Sequence, residues 1–221
     1  MLARAQWSVG RHAAAAAVLL HCVVASCTGY PTSLNSIPTA ETVGAGSLLL
    51  EVTNYGYPRM LTTESVSGVL LQLGVGDRLE FGIDRYETEE TSEAYFNVKA
   101  RLVDETDKLP GLAIGVMDLR CGCFATPYAV VSKRLGSVRV HVGSIHGSYS
   151  GGIMAGVDAD VGSLWFGIDY LPGTQNHTRL GISRAVGSDT SVLVTFGIPN
   201  SKNSGKAEVG ITVSTTLPMR K

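Results

Sequence analysis

The chain has 221 residues, 44% hydrophobic and 17% charged, with 26 glycines and a mean hydropathy of +0.17. Its formal net charge is −1, with no basic block and no long acidic run, so nothing in it asks for nucleic acid. Charge is below the roughly 25% usual for soluble domains and glycine is above its ~7% norm. After the leader no apolar run reaches about 18 residues, which excludes a membrane-spanning helix.

The first residues, "MLARAQWSVGRHAAAAAVLLHCVVASCTG", carry Arg4 and Arg11, then an apolar run from Ala13 to Val24, then small residues. That is the pattern of a cleaved secretory signal, here 1–26, too short for a spanning helix. Val24-Ala25-Ser26-Cys27 fits a lipobox, with Cys27 as the residue that takes the lipid. The other reading is ordinary cleavage near Ala25 or Ser26, leaving Cys27 a plain thiol. Residues 27–45 contain two prolines and many Ser and Thr, and read as a loop or linker.

From Gly46 the character changes. Segments of alternating hydrophobicity are separated by turn chemistry such as Gly76-Asp77, Asp107-Lys108, Gly151-Gly152, Pro172-Gly173 and Asn203-Ser204-Gly205. They are predicted near 46–55, 66–75, 78–87, 93–103, 110–119, 125–134, 137–146, 150–159, 162–171, 177–186, 190–199 and 207–216. Each has the length of a membrane strand, and no helical period competes.

One face of these strands is uniformly apolar and the other mixes glycine with charge. Leu79, Phe81 and Ile83 oppose Glu80, Gly82 and Asp84; Phe96, Val98 and Leu102 oppose Asn97, Lys99 and Arg101. In the opening half of 110–119, Leu112, Ile114 and Val116 oppose Ala113, Gly115 and Met117. Mid-strand glycines recur on the mixed face at Gly82, Gly115, Gly143, Gly156, Gly167, Gly181, Gly197 and Gly210. Glycine inside a strand gives no packing and needs a reason. On the concave face of a curled sheet it lets strands bend and leaves room for long neighbours such as Arg101 and Arg139.

These observations predict an all-β, antiparallel up-and-down transmembrane β-barrel of about 12 strands over 46–217, oily outside and polar inside, preceded by the cleaved signal peptide. Periodicity alone does not say which face is out. A soluble secreted β-barrel or sandwich binding protein, with the oily face inside, shares the same alternation. In the membrane reading the lumen-facing charges are Glu80, Asp84, Lys99, Arg101, Arg139, Asp158, Asp169 and Arg179. Lys99 and Arg101 are expected to pair across strands with Glu80 and Asp84. Their mixed signs suit interlocking ion pairs as well as an ion filter.

"SIPTAETVGAGSLLLEV", "LGVGDRLEFGI", "FNVKARLVDETDKLPGLAIGVMDL" and "PYAVVSKRLGSVRVHVG" resemble, in order, the YjbH-like family of bacterial outer-membrane lipoproteins. Pro38-Thr39-Ala40, the run Lys99–Glu105 and Ser132–Gly136 are the most specific pieces, and the resemblance spans about Ser36 to Gly147. It implies a barrel-forming lipoprotein of the outer membrane, associated with exopolysaccharide or capsule secretion. The implied partners are the lipid bilayer, the polysaccharide and other export-machinery proteins. Family members are generally much longer. Where they tend to carry a glycine-rich turn, this chain has Cys121-Gly122-Cys123.

Cys121 and Cys123 are candidates for a loop-tip disulfide, or are two idle thiols; a metal site lacks the remaining ligands. His141, Ser144, His146 and Ser148 lie close in sequence, but a triad also needs a carboxylate and an oxyanion site that spacing does not supply. The expectation is therefore a barrel without catalytic residues, cofactor or metal. Its expected role is a structural or conduit part in surface polysaccharide export; the rivals are a small general pore or passive surface barrel, and a membrane hydrolase.

Overall fold

The computed structural model describes residues 31–57, 65–88, 90–120, 124–147, 150–201 and 206–219. Their strands are β1 (Ser47–Gly56), β2 (Val66–Val75), β3 (Leu79–Glu87), β4 (Ser92–Val103), β5 (Gly111–Arg120) and β6 (Phe124–Leu135). The second half of the wall is β7 (Val138–His146), β8 (Gly151–Val161), β9 (Leu164–Tyr170), β10 (His177–Ala185), β11 (Thr190–Pro199) and β12 (Glu208–Pro218). Every boundary falls within two residues of the segment read from alternation and turn chemistry. The reason is local: Gly136 and Gly162 sit at φ 67° and 63° in the β6–β7 and β8–β9 turns, a conformation that other residues adopt at a steric cost.

Each strand pairs antiparallel with its sequence neighbour, and β1 closes on β12 from Ser47↔Pro218 to Gly56↔Val209. Closure removes both sheet edges, so every strand's backbone groups have a ladder partner on each side. One end of the barrel carries the tight turns 76–78, 136–137 and 162–163, together with the start of β1 and the end of β12. The seven-residue β4–β5 connection, 104–110, lies at this same end, and the six-residue connection 171–176 lies at the other.

The oily face is outside. Phe81, Ile83, Phe96, Val142, Leu180, Phe196 and Ile211 are all exposed, whereas Glu80, Asp84 and Lys99 are wholly buried inside. This inside-out distribution overturns the soluble-barrel alternative, in which the same alternation would point Phe81 and Phe96 into a core. It is the distribution of a wall solvated by lipid.

Two features depart from simple alternation. In β5 the register slips against β4 between Val116 and Leu119 and against β6 between Met117 and Arg120, and Asp118 adopts φ 59°. This bulge turns Met117 and Asp118 inward together, both buried. Asp tolerates the left-handed region better than most residues. The second departure is larger. The stretch expected to be a loop or linker is, from Pro31 to Val43, part of the barrel's interior.

Residues 32–39 form a small hairpin inside the barrel, with a Ser33↔Pro38 bridge and hydrogen bonds from Leu34 N to Ile37 O (2.9 Å) and Thr39 N to Thr32 O (3.2 Å). Leu34, Ile37 and Ala40 pack on Ala113, Met117, Tyr128, Val130, Ile145, Met154 and Leu171. The barrel thus has a true hydrophobic core, but on one side of its lumen only.

The inward glycines make space for this insert and for neighbouring side chains. A Cβ on Gly156 would meet Leu34 at 2.6 Å and Ile37 at 2.9 Å, one on Gly181 would meet Asn35 Oδ1 at 1.9 Å, and one on Gly74 would meet Gly44 O at 2.2 Å. Gly82 makes way for Gln72 and Asn97, and Gly167 for Trp165. The expected beneficiaries, Arg101 and Arg139, are not the atoms these glycines accommodate.

Replacing outward Ile83 in mid-β3 by Arg is expected to destabilise the inserted barrel by about 2–4 kcal/mol, the depth-dependent penalty of a lipid-facing charge. Urea unfolding of barrels refolded into vesicles measures it. A change within error of zero would mean that this face does not meet lipid.

Candidate functional site

The interior is where the chemistry lies. The inserted hairpin has no sheet ladder for its backbone, so its N–H groups need acceptors from the wall. Two carboxylates and one hydroxyl supply them. Asp169 on β9 accepts three consecutive backbone N–H groups on Oδ2, from Asn35 (2.8 Å), Ser36 (2.7 Å) and Ile37 (3.2 Å), while the Ser36 hydroxyl donates to Oδ1 at 2.9 Å. The hairpin tip is an anion nest closed around a wall carboxylate.

Glu80 on β3 holds the other end. Its Oε1 accepts from Thr32 N (2.7 Å), and its Oε2 accepts from Val43 N (2.9 Å) and from the Thr32 hydroxyl. Lys99, its register partner on β4, lies 3.5 Å from Oε2 and donates to Thr32 O at 2.9 Å. One buried ion pair therefore gathers the chain as it enters the hairpin and as it leaves. Breaking such a pair from one side strands a buried charge and costs several kcal/mol.

Between these points Ala40 N donates to Ser132 Oγ at 2.9 Å. Ser132 Oγ is 2.8 Å from His141 Nδ1, His141 Nε2 is 2.7 Å from Asp158 Oδ1, and Trp165 Nε1 donates to Asp158 Oδ2 at 3.1 Å. The order Ser–His–Asp invites comparison with a hydrolase triad. Ser132 and His141, however, are about 1% exposed, and the hairpin backbone sits on the serine oxygen. The arrangement works as a latch, with Asp158 orienting His141 and His141 orienting the hydroxyl that receives Ala40. Ser144 and His146 point outward on β7, on the opposite face from His141, so these three do not come together; Ser148 lies outside the described residues.

Of the other charges read as lumen-facing, Arg139 bridges Glu41 of the insert and Glu105 of the β4–β5 connection (2.7 Å to the latter). Asp84 accepts from Gln72 Nε2 (2.8 Å) and Asn97 Nδ2 (3.0 Å) rather than from Arg101. Arg101 lies at the turn end, where it pairs with Asp104 at 3.0 Å and donates to Asp77 O. The expected Lys99–Glu80 pair is present; an Arg101–Asp84 pair is not. Arg179 on β10 pairs with Glu208 at 2.9 Å and stands 5.9 Å from the Tyr55 ring centroid. Cys27, Cys121 and Cys123 lie outside the described residues.

Glu105 is outside the strands and its carboxyl is held below the ordinary carboxylate range. Burial alone would raise it, but the Arg134 backbone N–H (2.7 Å) and the Arg139 and Lys133 cations outweigh that. A depressed carboxylate contributes stability above its unfolded pKa, about 4.3, and that stability is lost as pH falls through the lower folded value.

The core side of the lumen, β4–β9, is filled by the insert. Across from it, β10–β12, β1 and β2 enclose a cavity of about 390 Å³ whose near wall is the hairpin face Thr32–Asn35. It follows β1 from Leu49 through Glu51 and Thr53 to Tyr55, which is most of the strand's length. Sequence reasoning found the inward charges on β3, β4, β7–β10 but missed this cavity's Glu51 and Glu208. Both sit in inward positions of strands whose oily face is strong; the same period-two reading would have marked them.

A closed antiparallel barrel with lipid-suited residues outside and a charged, partly filled lumen defines the class: a porin-like β-barrel. The family described as "Exopolysaccharide biosynthesis protein YbjH" (YjbH) matches residues 36–159, more than half of the chain, and the chain belongs to that family. No curated protein matches it significantly. Among solved structures the KdgM porin is similar with a TM-score of 0.56 at 10% identity, over 76% of this chain and 98% of that one. The KdgM porin in complex with disordered oligogalacturonate has a TM-score of 0.54 at 10% identity, with the same coverage. Outer membrane phospholipase A from Escherichia coli reaches 0.48 at 12% identity, over 83% and 95% of the two chains. At these identities the likeness is one of fold.

Asp169→Asn replaces one acceptor oxygen by a donor facing the hairpin amides. Amide exchange at Asn35–Ile37 is expected to accelerate by at least about tenfold, since hydrogen bonds to a charged group are worth about 1.5–3 kcal/mol. Exchange spectra of the refolded protein read this directly; unchanged protection would show that the nest does not hold the tip. In the same experiment, protection at Arg134 N–H is expected to be lost only at acid pH below the ordinary carboxylate range, as Glu105 protonates.

Proposed function

We propose that this chain is a non-catalytic outer-membrane barrel that serves as a structural or conduit component in the export of a surface exopolysaccharide or capsule. The observation that carries the reading is the lumen itself: a cavity of about 390 Å³ left beside an inserted hairpin that is held through side chains. Family membership supports the exopolysaccharide link, and the porin-like fold supports the outer membrane. Attachment by side-chain clamps rather than by a strand ladder lets the insert leave without opening the barrel. The barrel's own hydrogen bonds close without it.

In this reading residues 1–26 are removed on export and Cys27 carries the lipid. Thr32 and Val43 both reach Glu80, close to the tight-turn end, which supports an anchor on that side of the membrane. The two acidic clamps make the insert sensitive to any ligand or partner that competes for Glu80 or Asp169.

Two experiments test the proposal. In planar bilayers the intact barrel is expected to conduct weakly, and a variant lacking residues 31–43 to show larger, steadier channels. Equal conductance from both would remove the conduit reading and leave a passive barrel. Cys27→Ser should abolish incorporation of labelled palmitate in cells while the barrel still reaches the outer-membrane fraction and shifts on boiling. Retained label would assign the lipid elsewhere.

A further inference from the structure

The cavity beside the insert is not charge-neutral, and its imbalance points to a ligand class. Arg179, the cation on its wall, is already engaged by Glu208, whose other oxygen faces His177 Nε2 at 3.7 Å. Glu51, at the middle of the cavity's length, is partly exposed to it and accepts a hydrogen bond from Ser214 at 2.6 Å. Among the described residues no cation comes within ion-pair distance of Glu51. The remaining lining mixes hydroxyls, aromatic rings and aliphatic side chains: Thr53 and Thr212 bond to each other at 2.8 Å, Tyr55 presents its ring beside Arg179, and Leu49, Leu70 and Leu193 supply apolar surface. Hydroxyls beside aromatic and aliphatic surface suit the polar edges and apolar faces of a sugar chain, and a volume of about 390 Å³ lies within the usual range for ligand sites.

We propose that this cavity binds a saccharide segment bearing amino groups, with an ammonium seated on Glu51, and rejects acidic sugars. The inference rests on the conduit reading and adds the class of sugar to it. An acidic residue brought to the same place would meet two carboxylates against one arginine already paired, so like-charge repulsion would oppose entry. The KdgM porin, similar in fold, has been seen in complex with oligogalacturonate, an acidic saccharide; this cavity is expected to take a saccharide of the opposite charge. The hairpin forms one wall of the cavity, so a bound sugar would touch Thr32–Asn35 as well as the barrel.

Isothermal titration calorimetry on the full, detergent-refolded barrel tests this with four probes: glucosamine oligomers, neutral malto-oligosaccharides, oligogalacturonate and spermidine. Glucosamine oligomers are expected to bind tightest, malto-oligosaccharides weaker and oligogalacturonate not at all. Glu51→Gln, nearly isosteric, should weaken the glucosamine oligomers about tenfold, the loss expected for one charge-assisted contact, and leave malto-oligosaccharide binding unchanged. Boiled and unboiled gel mobility confirms that the variant is folded. Oligogalacturonate binding as well as glucosamine oligomers, or Glu51→Gln without effect, overturns the inference. Spermidine matching the amino sugar while neutral sugars fail to bind would reduce the site to a cation site and also overturn it. Bilayer conductance fails separately: a barrel that binds amino sugars but never conducts removes the conduit and keeps the site.

Discussion

Backbone hydrogen bonding in a solvent that offers none is the constraint on which the structure depends. In hydrocarbon an unpaired N–H or C=O costs several kcal/mol, so the sheet must close on itself. Closure of β1 on β12 satisfies the wall, and once it is satisfied the faces sort themselves. Leu, Val, Ile and Phe turn to lipid, and the charged residues retreat inside. The same constraint then governs the insert, which has no strand beside it. Its amides find Asp169, Glu80 and Ser132 instead.

That substitution of side chain for ladder separates a permanent element from a removable one. A strand cannot leave the wall without exposing two rows of partners. The hairpin is held at a few points: the Asp169 nest, the Glu80–Lys99 clamp, the Ser132–His141–Asp158 latch and the Glu41–Arg139 bridge. The Asp169, Glu80–Lys99 and Ser132–His141 contacts are buried, the Glu41–Arg139 bridge is partly exposed, and each is local enough to be broken alone. The apolar contacts of Leu34 and Ile37 with Met117, Met154 and Leu171 add burial that favours the seated state. The asymmetry of the lumen follows, with one half packed like a soluble core and the other left as a cavity.

The Ser132–His141–Asp158 chain shows why residue order is a poor guide to role. Its distances match those of a nucleophile and base, yet its serine oxygen is occupied by a backbone amide and opens on no space where a substrate could sit. Access and surroundings, not the trio of residue types, decide between catalysis and fastening.

Strand number, strand limits and the two faces were legible in the sequence, because alternation and turn residues act locally and each segment carries its own signal. The inward placement of Lys99 opposite Glu80 was legible for the same reason, since antiparallel neighbours meet by register. Four things required the tertiary structure. Which face meets lipid depends on closure, a relation between β1 and β12 that no single segment contains. Asp84's partners, Gln72 and Asn97, depend on which neighbours reach across two pleats, so Arg101 went elsewhere. The bulge at Met117–Asp118 breaks the period on which the reading relied. Residues 31–43 carry Ser, Thr and Pro as a linker does, and become a plug only because acceptors from β3, β6 and β9, distant in sequence, converge on their amides inside a closed wall.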